Sequence, residues 1–233
     1  MIPLRDQIHS KTTPHVTRFL IIVNIIMFIP LLYLTFFPDD LTTFQFVDSL
    51  YGNFMMVPAD ILAGRNLHTL LTSMFLHADI FHIGGNMLFL YVFGDNVEDT
   101  FGHFRFLLFY LACGFVADFT HILSLTAPTD FLTPTLGASG AISAVMGAYI
   151  VLYPRARILA LLVFRFFYVT PVPAAIFLGF WFLLQLLYTF LDMGGGVAYW
   201  AHIGGFAAGV IIALFLKKAR TSRKEEGLLS NLQ

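Results

Sequence analysis

Charge is what this chain has least of. Asp, Glu, Lys and Arg together make up 12% of its 233 residues, where a soluble domain carries about 25%. Hydrophobic residues take their place at 58%, including 27 Phe, and the mean hydropathy is +0.79. A water-soluble globule of this length could not hide so much apolar surface, so the chain reads as an integral membrane protein. A formal net charge of −1 excludes a general attraction to nucleic acid. The single cysteine, Cys113, lies in an apolar stretch and excludes an intramolecular disulfide framework. No 20–50-residue repeat and no low-complexity linker is visible.

At about 20 residues per spanning helix, the apolar stretches predict six spans. They run over 19–37, 79–96, 104–125, 138–153, 174–191 and 199–216. Residues 1–18 form a polar first segment, 38–79 a long polar-aromatic loop, and 217–233 a basic tail whose end is expected to be disordered. The apolar piece 158–168 is short and contains Arg165. A charge at mid-bilayer is costly, so this piece is placed at the interface, ahead of Pro171 and Pro173, and not counted as a seventh span. Basic residues accumulate on the cytoplasmic side. Six spans put both termini on one side together with every Lys and Arg except Arg65. The other side holds Asp39, Asp40, Asp48, Asp60, Asp79, Asp118, Asp130 and Asp192. The expected fold is thus an all-α bundle of six spans with cytoplasmic termini and loop 38–79 facing out.

An ionisable residue inside a span is a functional hypothesis by default, and three clusters stand out. His82 and Asn86, preceded by His77, lie four apart on one face of span two. Gly137-Ala138-Ser139-Gly140 opens span four, where Ser139, Ser143 and Gly147 recur every fourth residue on a face nearly free of bulk. Ala201-His202-Ile203-Gly204-Gly205 with Gly209 opens span six, and Gly-x-x-x-Gly pairs let helix backbones approach closely. Each cluster alone reads equally well as packing or as hydrogen-bonding glue. Together they lie at similar depth, and two small-residue faces packed on each other would bring a hydroxyl to an imidazole, as an activated nucleophile requires. Span four is also short, about 15 residues or roughly 22 Å against a hydrocarbon core of about 30 Å. Ser139 is therefore expected below the outer surface, at the floor of a water-filled cavity.

With these motifs in this order and at these spacings, the chain resembles the rhomboid family of intramembrane serine proteases over about residues 19–216. His82-x-x-x-Asn86, Gly137-Ala138-Ser139-Gly140 and Ala201-His202-x-x-Gly205 with Gly209 carry the likeness, and Glu98 and His77 fall where the family often has a glutamate and an outer histidine. The resemblance implies Ser139 as nucleophile and His202 as general base, with no acid. It implies an oxyanion hole from His82, Asn86 and the Ser139 amide, and packing roles for Gly137, Gly140, Gly205 and Gly209. It implies single-pass membrane proteins as substrates, cut in or beside their transmembrane helix, and no metal or organic cofactor. Two positions depart from the family pattern. His68-Thr69 stands where a Trp-Arg pair is frequent, and Ser143 stands where an aromatic often stacks on the catalytic imidazole. Something else must then orient His202.

Span five carries Phe177, Phe180, Trp181, Phe182 and Leu184 and has no small-residue face. A helix of that kind packs less closely, which makes Trp181 a candidate gate residue with Phe89 as its partner across the seam. The resemblance also places a lateral gate here. The length suits the minimal prokaryotic type, which implies a prokaryotic inner membrane. The alternative readings are a catalytically inactive relative that binds membrane clients and a small channel using the intramembrane His and Asn.

Overall fold

The computed structural model describes residues 1–163, 165, 167–191 and 196–230. The chain is mostly helical, and its longest helices follow the apolar stretches. They are α1 (His15–Phe36), α5 (Ile80–Phe101), α6 (His103–Ser124), α7 (Ser139–Leu152), α8 (Ala174–Phe190) and α9 (Tyr199–Ser230). Among the described residues, His15–Phe36, His103–Ser124 and Tyr199–Ala219 are long and apolar enough to cross a membrane; α7 and α8 are shorter apolar helices. α9 continues as helix to Ser230, through the basic residues and most of the tail expected to be disordered. Asp192, counted above with the outer acidic residues, lies outside the described residues, as do Phe164 and Phe166.

α7 is the axis of the fold. Every residue from Gly140 to Tyr149 is buried, because α5, α6, α8 and α9 all pack around it. Its closest neighbour is α9, and the reason is the absence of side chains. A Cβ at Gly205 would run into the Gly140 carbonyl oxygen, one at Gly209 into that of Ala144, and one at Gly147 into that of Phe206. The two backbones are in direct contact along the whole seam, as small residues in membrane helices allow.

α5 begins at Asp79, whose carboxylate accepts from the amides of Phe81 (2.8 Å) and His82 (2.9 Å). This cap satisfies two of the free N–H groups of the first turn and sets His82 at the helix start. At the other end of α5, buried Glu98 serves a different helix. α1 starts at Pro14 without a side-chain cap of its own. Glu98 supplies one, accepting from the Val16 amide at 2.9 Å, the Thr17 amide at 2.7 Å and the Thr17 hydroxyl at 2.6 Å. Its oxygen also lies 2.5 Å from His103 Nδ1. The glutamate picked out by the family likeness thus joins α1, α5 and α6.

Three expectations need correction. The fold is not purely helical. β1 (Ile2–Asp6), β2 (Arg157–Val163) and β3 (Phe167–Pro173) form an antiparallel sheet in the order β1-β2-β3, with Ile2 opposite Leu161 and Ile158 opposite Val172. The apolar piece at 158–168 is therefore strand. Ile158 and Ala160 are fully buried while Arg157 points out, the period of two that a half-buried strand requires. Segment 1–18 is not merely a polar leader to α1. Tyr149 donates its hydroxyl to Asp6 Oδ2 at 2.5 Å and Asn96 its amide at 2.8 Å, tying the strand to α7 and α5. Burial pushes the Asp6 carboxyl above the usual range.

The loop 38–79 is largely helical, with α2 (Leu41–Phe54), α3 (Pro58–Leu62), α4 (Thr69–Thr72) and a 3₁₀ turn at Ser73–Phe75. Asp40 caps α2 through the amides of Thr42 and Thr43, and these bonds hold its carboxyl below the usual range. At the position where the family often has Trp-Arg, His68 Nε2 bonds to the Asn53 carbonyl at 3.0 Å. Thr69 Oγ1 donates to the Asn66 carbonyl at 2.7 Å.

Candidate active site

The backbone leading to Ser139 is held from segment 38–79. Met56 and Thr135 exchange backbone hydrogen bonds at 3.0 and 2.7 Å, and the Gly137 amide donates to the Ser73 carbonyl at 2.9 Å. Gly137 then turns with φ +124°, a conformation that L side chains rarely adopt. There is also no room for a side chain: a Cβ there would lie 2.8 Å from His82 Nε2 and 3.7 Å from Ser139 Oγ. The turn delivers Ser139 as the first residue of α7, where the leading amides have no partner within the helix.

His202 of α9 meets Ser139 across the glycine seam, with Nε2 2.8 Å from Ser139 Oγ. The imidazole is 9% exposed and the serine is half-buried. Both line a cavity of about 790 Å³ together with His82, Asn86, Phe89 and Trp181. Asn86 Nδ2 donates one hydrogen to the His82 carbonyl at 3.0 Å, and its second has no partner among the described residues. The Ala78 amide approaches His82 Nδ1 at 3.4 Å. That contact makes Nδ1 the acceptor, so the proton sits on Nε2, the atom beside Gly137 and Ser139. His77 lies at the outer edge of this group, fully buried, its ring edge-on to His82 at 5.0 Å. Neither of its ring nitrogens has a partner among the described residues. Burial, reinforced by His82 beside it, pushes the His77 imidazole down to about 3, so the ring is neutral.

The structure therefore brings together Ser139, His202, His82 and Asn86 at one cavity, sets Gly137 against His82 and Ser139, and stacks Gly140, Gly205 and Gly209 in the seam behind it. The gate pair is rearranged. Trp181 lines the cavity, but its ring faces His202 at 5.9 Å and Phe206 at 6.1 Å. Phe89 instead meets Phe177 of α8 at 6.4 Å. One turn along α8 separates Phe177 from Trp181 on the same face, and the height of α8 against α5 that selects between them is not visible in helix spacing.

One polar partner, Gln185, escaped the sequence reading, and Ser143 makes a bond of its own. Ser143, at the place of the family's aromatic, donates its hydroxyl back to the Ser139 carbonyl at 2.6 Å. Gln185 of α8, 7% exposed, lies with Oε1 2.9 Å from His202 Nδ1. A lone amide in the run Leu183-Leu184-Gln185-Leu186-Leu187 was the available signal, since a buried polar group in a membrane helix requires a partner. Among the described residues, no group of three or more His, Cys, Asp or Glu is placed to hold a metal ion.

Comparison with known proteins shows the family of the chain. A match to the Rhomboid domain covers residues 64–219. The chain is 35% identical over 184 residues to "RHOMBOID-like protein 12, mitochondrial" of Arabidopsis thaliana, covering 73% of this chain and 52% of that protein. It is 27% identical over 179 residues to "Rhomboid protein 1, mitochondrial" of Saccharomyces cerevisiae, covering 75% and 49%. It is 31% identical over 147 residues to the human "Presenilin-associated rhomboid-like protein, mitochondrial", covering 60% and 36%. The chain spans about half the length, or less, of these relatives. The matched domain takes in α5, which carries His82 and Asn86, the glycine turn before Ser139 and the α7–α9 seam, and on that extent the chain belongs to the rhomboid family.

Proposed function

We propose that this protein is an intramembrane serine endopeptidase that hydrolyses peptide bonds in or beside the transmembrane helix of single-pass membrane proteins. The observation that carries the reading is the 2.8 Å contact between Ser139 Oγ and His202 Nε2 on the wall of a cavity. His202 Nε2 takes the hydroxyl proton as Oγ attacks the scissile carbonyl. The negative charge that develops on the carbonyl oxygen falls to the Ser139 amide at the start of α7, the second hydrogen of Asn86 and Nε2–H of His82. The imidazolium then protonates the leaving amine, and water from the cavity completes hydrolysis by the same route in reverse.

This reading includes six spans, with α5, α7 and α8 crossing alongside α1, α6 and α9, and both termini on the cytoplasmic side where the basic residues gather. The membrane we infer is the inner membrane of a prokaryote; the mitochondrial address in the relatives' names is theirs. Substrate enters sideways from the bilayer between α5 and α8. α8 packs chiefly on α9 and leans only lightly on α5, which supports an opening on that side.

The test is labelling of the purified protein in detergent by a fluorophosphonate, paired with cleavage of a panel of single-span substrates. Wild type should label and cleave. Ser139→Ala and His202→Ala should each lose cleavage while keeping the thermal midpoint, because nucleophile and base act as a unit. Near-normal cleavage by Ser139→Ala would overturn the assignment.

A further inference from the structure

A serine can be activated by an imidazole only if the ring presents a lone pair to the hydroxyl. A neutral imidazole carries its proton on either nitrogen, and the choice is made by what the other nitrogen meets. In this protein no carboxylate is within hydrogen-bond distance of His202 among the described residues; Nδ1 meets the Gln185 side chain at 2.9 Å.

The orientation of that amide is itself determined. Gln185 Nε2 donates to the Trp181 carbonyl one turn back in α8 at 3.2 Å. If the amide were turned over, an oxygen would face the Trp181 carbonyl oxygen and an NH₂ would face His202. In the orientation observed, Oε1 can only accept, so Nδ1 must carry the proton and Nε2 is left with its lone pair towards Ser139 Oγ. The ring plane is held as well. Trp181 lies over one side at 5.9 Å with 37° between planes, and Tyr199 stands edge-on at 6.2 Å with 87° between planes.

We propose that Gln185 is the positioning residue of the site: it fixes His202 as the Nδ1–H tautomer and so poises Nε2 to deprotonate Ser139. This rests on the protease reading above and adds a third member from α8 to the Ser139–His202 pair. An amide suits the place. It orients the ring as an anionic partner would, and it avoids burying a full charge inside the bilayer. It also answers the departure at Ser143: the support that an aromatic would give from α7 comes here from α8.

The experiment compares Gln185→Met, similar in volume but without an acceptor for Nδ1–H, with Gln185→Glu, which keeps an acceptor oxygen there whether or not it is ionised. Gln185→Met should lower kcat about 10- to 100-fold, the usual scale for losing a ligand-orienting partner, with KM within about threefold. Fluorophosphonate labelling of Ser139 should slow in parallel. Gln185→Glu should recover most of kcat. A merely structural role would instead lower activity and thermal midpoint together in both variants, and that result overturns the proposal. Wild-type kcat in Gln185→Met, or a loss confined to KM, overturns it too. The ¹⁵N spectrum of histidine-labelled wild type gives a check that needs no variant: the His202 proton should be on Nδ1, and a proton on Nε2 refutes the inference. In the same assays, wild type that shows no Ser139-dependent cleavage brings down the protease reading itself, a result distinct from any difference among the Gln185 variants.

Discussion

Gly205 does no chemistry in the proposed reaction, yet a single methyl group there should lower cleavage sharply. A Cβ built on Gly205 overlaps the Gly140 carbonyl oxygen, with the Gly140 carbonyl carbon at 3.0 Å and the Ala117 Cβ at 3.5 Å. The obstacle is helix backbone, which cannot swing aside as a side-chain tip can. In an interior packed to crystal density, relief requires α9 to move off α7 by roughly 1 Å. The reacting pair sits at the same end of the seam: Ser139 adjoins Gly140, and His202 is one turn ahead of Gly205. Adding that displacement to the 2.8 Å contact takes Oγ and Nε2 to about 3.8 Å, beyond hydrogen-bond range. A misplacement of this size lowers rate by about 10²-fold, and the overpacking itself costs about 1–3 kcal/mol. Gly205→Ala should therefore lower both kcat and the thermal midpoint, and Gly205→Val should lower both further. Gly84→Ala and Gly179→Ala are the controls, since a Cβ at either helical position meets nothing within 4 Å. Both should be active and as stable as wild type, or more stable by about 0.5–1 kcal/mol. Thermal melts in detergent beside cleavage of a single-span substrate provide the readout. A Gly205→Ala protein with wild-type rate and midpoint would refute the argument that backbone contact in this seam sets the Ser139–His202 distance.

Other outcomes follow from the same geometry. Asn86→Ala should lower kcat by about 10²-fold with a smaller change in KM, because its free hydrogen matters only once charge develops; unchanged kcat with weakened binding would move Asn86 to substrate docking. Phe89→Ala, which removes the ring contact between α5 and Phe177 of α8, should speed cleavage of transmembrane substrates, since opening can limit turnover, while leaving a short soluble substrate much less affected; equal effects on both would count against entry between α5 and α8. Glu98→Ala should lower stability by about 3 kcal/mol, because it leaves the amides of Val16 and Thr17 without their acceptor in a buried place. A chemical or thermal melt at the wild-type midpoint would show that α1 does not depend on this cap.

Hydropathy and spacing alone determined much of this protein. The membrane character follows from composition. The spans expected at 138–153 and 174–191 became Ser139–Leu152 and Ala174–Phe190, because helix ends are set locally by where apolar residues stop and by residues such as Pro173. The meeting of Ser139 with His202 was legible because two glycine faces have one way to pack closely. Only the tertiary structure decided the rest. Ile2–Asp6 becomes a strand by pairing with Arg157–Val163, more than 150 residues away in sequence, and nothing in either segment names the other. The loop 38–79 shows no long apolar period, and its helices are held by caps such as Asp40 and by contacts to the neighbouring core. Glu98 caps a helix to which it does not belong. Gln185 reaches His202, and Phe89 meets the ring of Phe177 one turn before Trp181, because of the height at which each turn of α8 lies beside its neighbours. A sequence states which residues lie on one face of a helix. Which face turns inward, and what it meets there, is settled only when every helix packs at once.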